Sequence, residues 1–439
     1  ASELKALFNY PDLDKDLDLI AIDGYLSSLA LPEPHSVFRK VHKLPAGHFL
    51  KVRRGKVQLQ CYWEARFSNR LLASHGRAKA DGLVEEFRHR LEDTVKLSLR
   101  SDVPVGVLLS GGVDSSSVTA IASRERAYPL HTFSVAFKED EFNEAEFSRM
   151  VAKRFATKHH EVLVTKRRAT QIASRLVELL DEPFADSSSI PTYAVCEEAS
   201  KYVKTVLSGE GADELLGGYP WHAAKLARGH KYKNSLAIKE HPSRVIFTEA
   251  QREGLYSKEW RRELQKLGKR RRHLDESQNA SQLSVLNRSL LEDIQTYLPS
   301  DILVKSDRMS MLHSLEIRVP FLNRVFAEFA MSLPDKMKVN GEIRKHILKE
   351  SMKGILPNRI LERLKKGFSI PMDLWLWEKG QWREMIYDTI FSQRTRERGQ
   401  FDMTVLERLQ REHERLENLH GYKLWTIFVF ESWQRAWLD

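Results

Sequence analysis

Cysteine is scarce in this chain: there are two in 439 residues, Cys61 and Cys196, far apart. That excludes a disulfide framework and a four-cysteine zinc site, both cysteines read as structural, and a reducing cytoplasm is the expected compartment. No stretch approaches the roughly 18 consecutive apolar residues that cross a membrane. The opening Ala1-Ser2-Glu3-Leu4-Lys5 lacks the basic-then-apolar start of a secretory signal, and also an initiator Met. No internal repeat is visible. The Gly-x-x-x-x-Gly-Lys-Ser/Thr loop of many nucleotide hydrolases is missing too. With 42% hydrophobic and 30% charged residues, disordered and fibrous classes are excluded. Basic residues outnumber acidic ones 70 to 60, a formal charge of +10. That excess suits an anionic ligand such as a nucleotide and does not call for a nucleic acid. At roughly 100–200 residues per domain, the length suggests two or three domains.

What is present falls into regions of different pattern. Residues 1–64 read as a small, mainly β appendage. Segments 48–52 and 57–63 carry β-formers around the turn Arg53-Arg54-Gly55-Lys56. Pro32, Pro34 and Pro45 confine any long helix there to about 18–31. Residues 65–80 are polar and unpatterned, a linker. From Asp81 onward, Leu83, Phe87, Leu91, Val95 and Leu99 recur every four residues and predict an amphipathic helix. Apolar runs at 103–109, 131–137, 160–164 and 203–207 then alternate with helical patterns near 115–125, 144–156, 166–180 and 191–201. This alternation predicts an α/β fold: an open, mainly parallel sheet flanked by helices, with a helical C-terminal portion from about 221. Ligands of such sheets bind beyond the carboxyl ends of the strands, here just after Leu109, Phe137 and Leu207. The basic stretch 258–273 reads as a solvated helix face, since Trp260 is the one aromatic interleaved in it.

Two of those strand ends meet glycine-rich loops. The first is Ser110-Gly111-Gly112-Val113-Asp114-Ser115-Ser116. Its glycines allow a tight turn that brings backbone N–H groups together, and the following helix adds the positive end of its dipole. The result is an anion cradle suited to phosphate. Asp114 would repel a phosphate directly; as a magnesium ligand or a helix cap it fits. The second loop, Ser208-Gly209-Glu210-Gly211-Ala212-Asp213-Glu214, carries three carboxylates. Beside a triphosphate these need a metal between, so Asp213 and Asp114 could share Mg²⁺ while Glu210 serves as a general base. Asp213 and Glu214 also suit the start of the next helix.

The first loop resembles the pyrophosphate loop of the N-type ATP pyrophosphatases, Ser-Gly-Gly-x-Asp-Ser. The second, 208–219, is similar to a signature of asparagine synthetases. So are Asp181-Glu182-Pro183-Phe184-Ala185-Asp186, Asp307-Arg308-Met309-Ser310-Met311, Leu315 to Leu322, Arg344-Lys345-His346-Ile347-Leu348 and Lys365-Lys366-Gly367-Phe368. The resemblance covers most of 81–375 and implies a synthetase domain over 81–439. It implies ATP and Mg²⁺ as cofactors, with the acid adenylated and then amidated by ammonia that normally comes from glutamine. By position it implies AMP contacts at Leu109, Val135, Ser208 and Gly209. Ser110, Gly111, Gly112, Asp114 and Ser115 would form the pyrophosphate loop, and Asp114 and Asp213 would hold the metal. Glu210 would serve the β-aspartyl-AMP step, and Lys345 would lie near the reacting phosphate. Glu316 and Arg318 are further candidates for contacting the acyl substrate, with a buried salt bridge an equal alternative for Arg318.

Residues 1–64 resemble the closing part of the glutaminase domain that precedes such synthetases. Cys61 is not an N-terminal nucleophile, and the rest of that domain is absent from the sequence. A shortened chain, an incompletely resolved one, or a natural protein without a glutaminase would each account for this; the domain could act in cis or trans. The leading expectation is aspartate converted to asparagine. The alternatives are a relative acting on another carboxylate (β-lactam synthetase, lasso-peptide cyclase or sugar-acid amidotransferase), an RNA-modifying enzyme, and a non-catalytic scaffold. The sequence leaves the oligomeric state open, a homodimer included.

Overall fold

A computed structural model describes residues 1–67, 77–125, 129–229, 245–267, 283–363 and 367–439. Strands β1 (His48–Arg53) and β2 (Lys56–Cys61) form an antiparallel hairpin. Its turn residues Arg54 and Gly55 both take positive φ, as a two-residue turn requires. Strands β3 (Val105–Leu108), β4 (His131–Ala136), β5 (Lys158–Leu163), β6 (Thr205–Leu207) and β7 (Glu316–Arg318) build a parallel sheet in the order β5-β4-β3-β6-β7. The connecting helices are Val113–Arg124, Ala145–Arg154, Lys166–Leu179 and Ser189–Ala199.

The strand order locates the chemistry. From β3 the chain moves outward through β4 to β5, then returns to lay β6 on the other side of β3. At this reversal the loops after β3 and β6 leave adjacent strands in the same direction, which opens a crevice between them.

Alternation along the strands feeds two cores. Val105, Val107 and Leu207 join the helix Arg77–Ser98 through its Leu83, Phe87, Leu91 and Val95. Phe133, Val135 and Val206 face the opposite layer, with the last helix, Gly421–Trp437. Gly106 lies under Phe133: a Cβ there would stand 2.7 Å from the Phe133 ring.

Two features differ from the sequence expectation, strand β7 and a π-type helix. The N-terminal part carries the expected antiparallel strands, and the helix expected near 18–31 is present. The helix Leu19–Ser28 is buried in the same core as the last helix, where Tyr25 donates its hydroxyl to the Thr426 carbonyl at 2.8 Å and Phe38 packs on Trp433. Asp181 and Glu182 hold this segment down by accepting from the Lys5 and Val37 N–H groups at 2.8 and 3.0 Å. Only the hairpin stands apart, its side chains almost all exposed. Strand β7 went unpredicted because three residues inside a helical stretch carry no period. The wide-turn π-type helix Asp293–Ile302, with Pro299 inside it, was equally hidden.

The basic stretch begins as the helix Lys258–Leu267, which buries no residue. Its Trp260 packs on Phe401 and Phe430, so that aromatic is not offered to a base. Residues 268–273 lie outside the described residues, as do 68–76 of the expected linker and Lys365 and Lys366. Among the described residues no helix is long and apolar enough to cross a membrane.

Candidate active site

The first loop is tied to its helix by its own serines. The Ser110 N–H donates to Ser115 Oγ at 3.2 Å, the two serine hydroxyls lie 3.1 Å apart, and the Gly112 N–H donates to Ser110 Oγ at 3.3 Å. Gly111 has φ of 74°, and a Cβ there would meet Phe147 at 2.6 Å. The helix Val113–Arg124 starts at Gly112 without a side-chain cap. Its first turn, the positive end of the helix dipole, lines the cleft through Val113, Asp114 and Ser115.

The second loop packs directly on the first. A Cβ on Gly209 would lie 2.9 Å from Asp114 Cβ and 3.0 Å from the Ser115 nitrogen, so glycine permits the contact. Glu210 accepts hydrogen bonds from the hydroxyls of Ser208 and Ser306, the latter at 2.9 Å. Gly211 turns back with φ of 87° into the short helix Ala212–Leu216, which carries Asp213 and Glu214. Glu214 is buried and accepts from the Tyr219 hydroxyl at 2.5 Å.

Lys345 joins the two loops. Its Nζ stands 2.5 Å from Asp114 Oδ2 and 2.7 Å from Asp213 Oδ1. Burial alone would push its ammonium down, but the two carboxylates outweigh that and hold it above the ordinary lysine value. The pair of aspartates read as metal ligands thus brackets a cation supplied by the chain itself. Gly218 fits over this pair, since a Cβ there would fall 1.9 Å from Asp213 Oδ1 and 2.0 Å from Lys345 Cε.

A cleft of about 620 Å³ opens over these groups. Leu109, Ser110, Gly112, Asp114, Ser115, Val135, Ser208, Gly209, Glu210, Asp213 and Lys345 all line it. Gly111 shapes the loop from behind. Glu316 and Arg318 do not line the cleft, contrary to expectation. They alternate with Ile317 along edge strand β7, so both lie on the sheet face toward the end of the helix Arg77–Ser98. There Arg318 pairs with Glu316 at 2.8 Å and donates to the Ser98 and Arg100 carbonyls at 2.9 and 2.6 Å. The Arg318 carbonyl accepts from the Ser208 N–H at 3.0 Å, so the strand braces the second loop instead.

Sequence reasoning missed other lining groups. Arg344, Lys349 and Arg363 add positive charge around the first loop. Arg344 donates to the Gly218 carbonyl at 2.9 Å, and Arg363 to the Gly111 carbonyl at 3.0 Å while pairing with Glu144. Burial pushes Lys349 down, and the nearby Arg344 and Lys345 add to the effect. On the Glu210 side, Lys305 and Asp186 form a second ion pair in the cleft wall, 3.0 Å apart. Their signal was faint: Asp186 closes a segment that resembles the family, but nothing in the pattern set it apart from Asp181. Cys196 is buried in the helix Ser189–Ala199, and burial, aided by Glu210, pushes its thiol well up. It is no nucleophile.

Residues 86–435 match the family described as asparagine synthase, and residues 1–63 match a glutamine amidotransferase domain. The chain is 32% identical to asparagine synthetase [glutamine-hydrolyzing] 1 of Bacillus subtilis, across 99% of this chain and 71% of that protein. It is 30% identical to a putative asparagine synthetase [glutamine-hydrolyzing] of Mycobacterium tuberculosis, across 100% of this chain and 71% of that one. Asparagine synthetase B of Escherichia coli is 28% identical over 76% of this chain and 52% of its own length. The chain belongs to the asparagine synthase family of ATP-dependent ligases.

Proposed function

We propose that the chain converts aspartate to asparagine through β-aspartyl-AMP, releasing AMP and pyrophosphate. The carrying observation is the placement of Glu210 beside the Asp114–Lys345–Asp213 bridge in one cleft, at the uncapped start of the helix Val113–Arg124. The β-carboxylate of aspartate attacks the α-phosphorus of ATP, and the bond to pyrophosphate breaks. The hydroxyls of Ser110 and Ser115 and the first-turn N–H groups of Val113–Arg124 hold the departing pyrophosphate, and Lys345 offsets its charge. Leu109, Val135, Ser208 and Gly209 enclose the nucleoside. Ammonia then attacks the acyl carbon; AMP leaves, and Glu210 Oε takes the nucleophile's proton. The hydroxyls of Ser208 and Ser306 fix that carboxylate in place.

Asp114 and Asp213 are the residues that would hold Mg²⁺. One or two carboxylates completed by phosphate oxygens and water form a usual magnesium site. Among the described residues no group of three or more metal-ligating side chains gathers, so a site formed together with the nucleotide fits this donor set. When bound, the ion neutralises phosphate charge. Ammonia from glutamine would come from a glutaminase domain, in cis or trans, and the match of residues 1–63 supports that source.

The test is pyrophosphate release from ATP and Mg²⁺ with ammonium and a panel of carboxylic acids. Aspartate-dependent release, with asparagine and AMP in equal yield, is expected. Release with another acid and none with aspartate would overturn the substrate. In a protein that works, Glu210→Gln should lower the rate about 10²–10⁴-fold.

A further inference from the structure

Arg363 belongs to no helix or strand. It follows the short helix Asn358–Leu361 and lies in the cleft wall beside the first loop, its side chain 9% exposed. The guanidinium meets three partners. It donates to the Gly111 carbonyl at 3.0 Å, pairs with the Glu144 carboxylate, and stands 4.2 Å from the centre of the Phe147 ring. A planar guanidinium can serve two oxygens at its edge and a ring on its face at once, whereas a compact ammonium lacks that geometry.

The contact is made at the turn of the loop. Gly111 takes φ of 74°, and a Cβ there would stand 2.6 Å from Phe147 Cβ and 2.7 Å from the Ser148 nitrogen. The same phenylalanine therefore backs both the turn and the arginine. Glu144 precedes the helix Ala145–Arg154, yet its side chain caps none of that helix's N–H groups. It stands in the cleft wall with Arg363 as its cation.

Both oxygen partners carry the wrong sign for an anion cradle. A carbonyl oxygen bears partial negative charge and a carboxylate a full one, and each opposes a phosphate held by Ser110 and Ser115. The guanidinium offsets both. Docking of its own segment does not require it. Ile360 and Leu361 are buried in the core that holds Val105 and Val107, and Arg359 pairs with Glu146 at 2.7 Å while lying 5.6 Å from the same Phe147 ring. A buried ion pair is also a poor means of stabilising a fold.

We infer that Arg363 is a positioning residue for the pyrophosphate half of the nucleotide. It holds the Gly111 peptide and offsets the charges of the Gly111 carbonyl and Glu144, so the anion meets the loop's donors with no opposing charge at its turn. None of its three partners belongs to the set proposed to enclose the nucleoside. This rests on the adenylation reading above and names a residue that sets pyrophosphate affinity.

The experiment measures binding of pyrophosphate with Mg²⁺, and of AMP, separately by calorimetry on the whole chain. The wild type should bind both. Arg363→Met should weaken pyrophosphate by about 10–100-fold and leave AMP within about twofold. Arg363→Lys keeps the charge without the fork and should fall between. Adding Glu144→Gln to Arg363→Met should recover about tenfold for pyrophosphate, because the uncovered carboxylate is gone. A merely structural arginine gives another pattern: AMP and pyrophosphate weaken together, or the double variant binds pyrophosphate no better than Arg363→Met. Either result overturns the inference, as does an Arg363→Met variant that binds pyrophosphate like the wild type. If Arg363→Met does not fold, Arg363→Lys carries the test, and pyrophosphate affinity equal to that of the wild type overturns the inference. A wild type that binds AMP and not pyrophosphate overturns the reading of the first loop, and one that binds neither overturns the adenylation site itself.

Discussion

Nζ of Lys345 lies 2.5 Å from Oδ2 of Asp114, a residue 231 positions earlier in the chain. Lys345 adopts φ of 53° and ψ of 39°, a left-handed conformation that costs a non-glycine residue about 1–3 kcal/mol. The backbone holds this strain where the ammonium can reach both Asp114 and Asp213. The two glycine loops are thereby fixed relative to one another, which is the preorganisation that the proposed electrostatic catalysis needs.

Removing that ammonium should cost both stability and rate. Lys345→Met strands two carboxylates that had shared a buried cation, and the unfolding free energy should drop by about 3–5 kcal/mol in urea titration. Pyrophosphate release should fall about 10²–10³-fold. A variant as stable as the parent would show that the bridge does not hold the loops.

Gly218→Ala tests the same bridge from above. The new methyl would have to displace Asp213 Oδ1 and Lys345 Cε, which now lie at 1.9 and 2.0 Å from that position. A loss of about 1–3 kcal/mol is expected by thermal or chemical unfolding. Gly254→Ala is the control: it lies in the helix Glu249–Leu255 with nothing within 4 Å of its Cβ position, and should gain about 0.5–1 kcal/mol.

Lys338 makes stability depend on pH. It is fully buried, its ammonium donates to Asn287 Oδ1 at 2.9 Å, and burial pushes it down to about 7 against a weaker opposing pull from Asp335. Above pH 7 the folded protein has released this proton and the unfolded chain still binds it, so stability rises with pH until about 10.5, where both have lost it. The slope in that window is about 1.4 kcal/mol per pH unit. Urea titrations at pH 7 and pH 9 should show this gain in the wild type and its loss in Lys338→Met.

The two cysteines should react very differently. Cys61 is exposed and should be labelled by a thiol reagent at pH 8, whereas Cys196 is buried with its thiol pushed up and should need denaturant. One equivalent of label in the native protein and two after unfolding is the expected count.

Much of this was legible in the sequence, and the boundary has physical causes. Residues 103–109 and 203–207 read as strands because a buried parallel strand is an uninterrupted apolar run, and both glycine loops followed from what comes after each run. Leu83, Phe87, Leu91 and Val95 gave the helix Arg77–Ser98 through a period that burial enforces. Strand β7 stayed hidden because three residues are too few to show alternation. That misplaced Glu316 and Arg318 in the cleft, when their side chains pair with each other on the sheet face toward the end of the helix Arg77–Ser98. Asp186 and Lys305 were invisible for another reason. A buried charge looks like a surface charge until the partner is known, and theirs is 119 positions away.

The bond between Tyr25 and Thr426 also sets an order of assembly. It joins positions 401 apart, whereas the β3–β4 pairing begins at Gly106 and His131. Closing the larger loop costs about 2 kcal/mol more in chain entropy. The sheet and its glycine loops can therefore form first, while Tyr25, Phe38 and Trp433 seal the second core late. On the ribosome that core stays open until the helix Gly421–Trp437 emerges, which leaves the part of Leu19–Ser28 that packs on it uncovered while the roughly 400 residues between them are made. That part is the expected binding point for a chaperone.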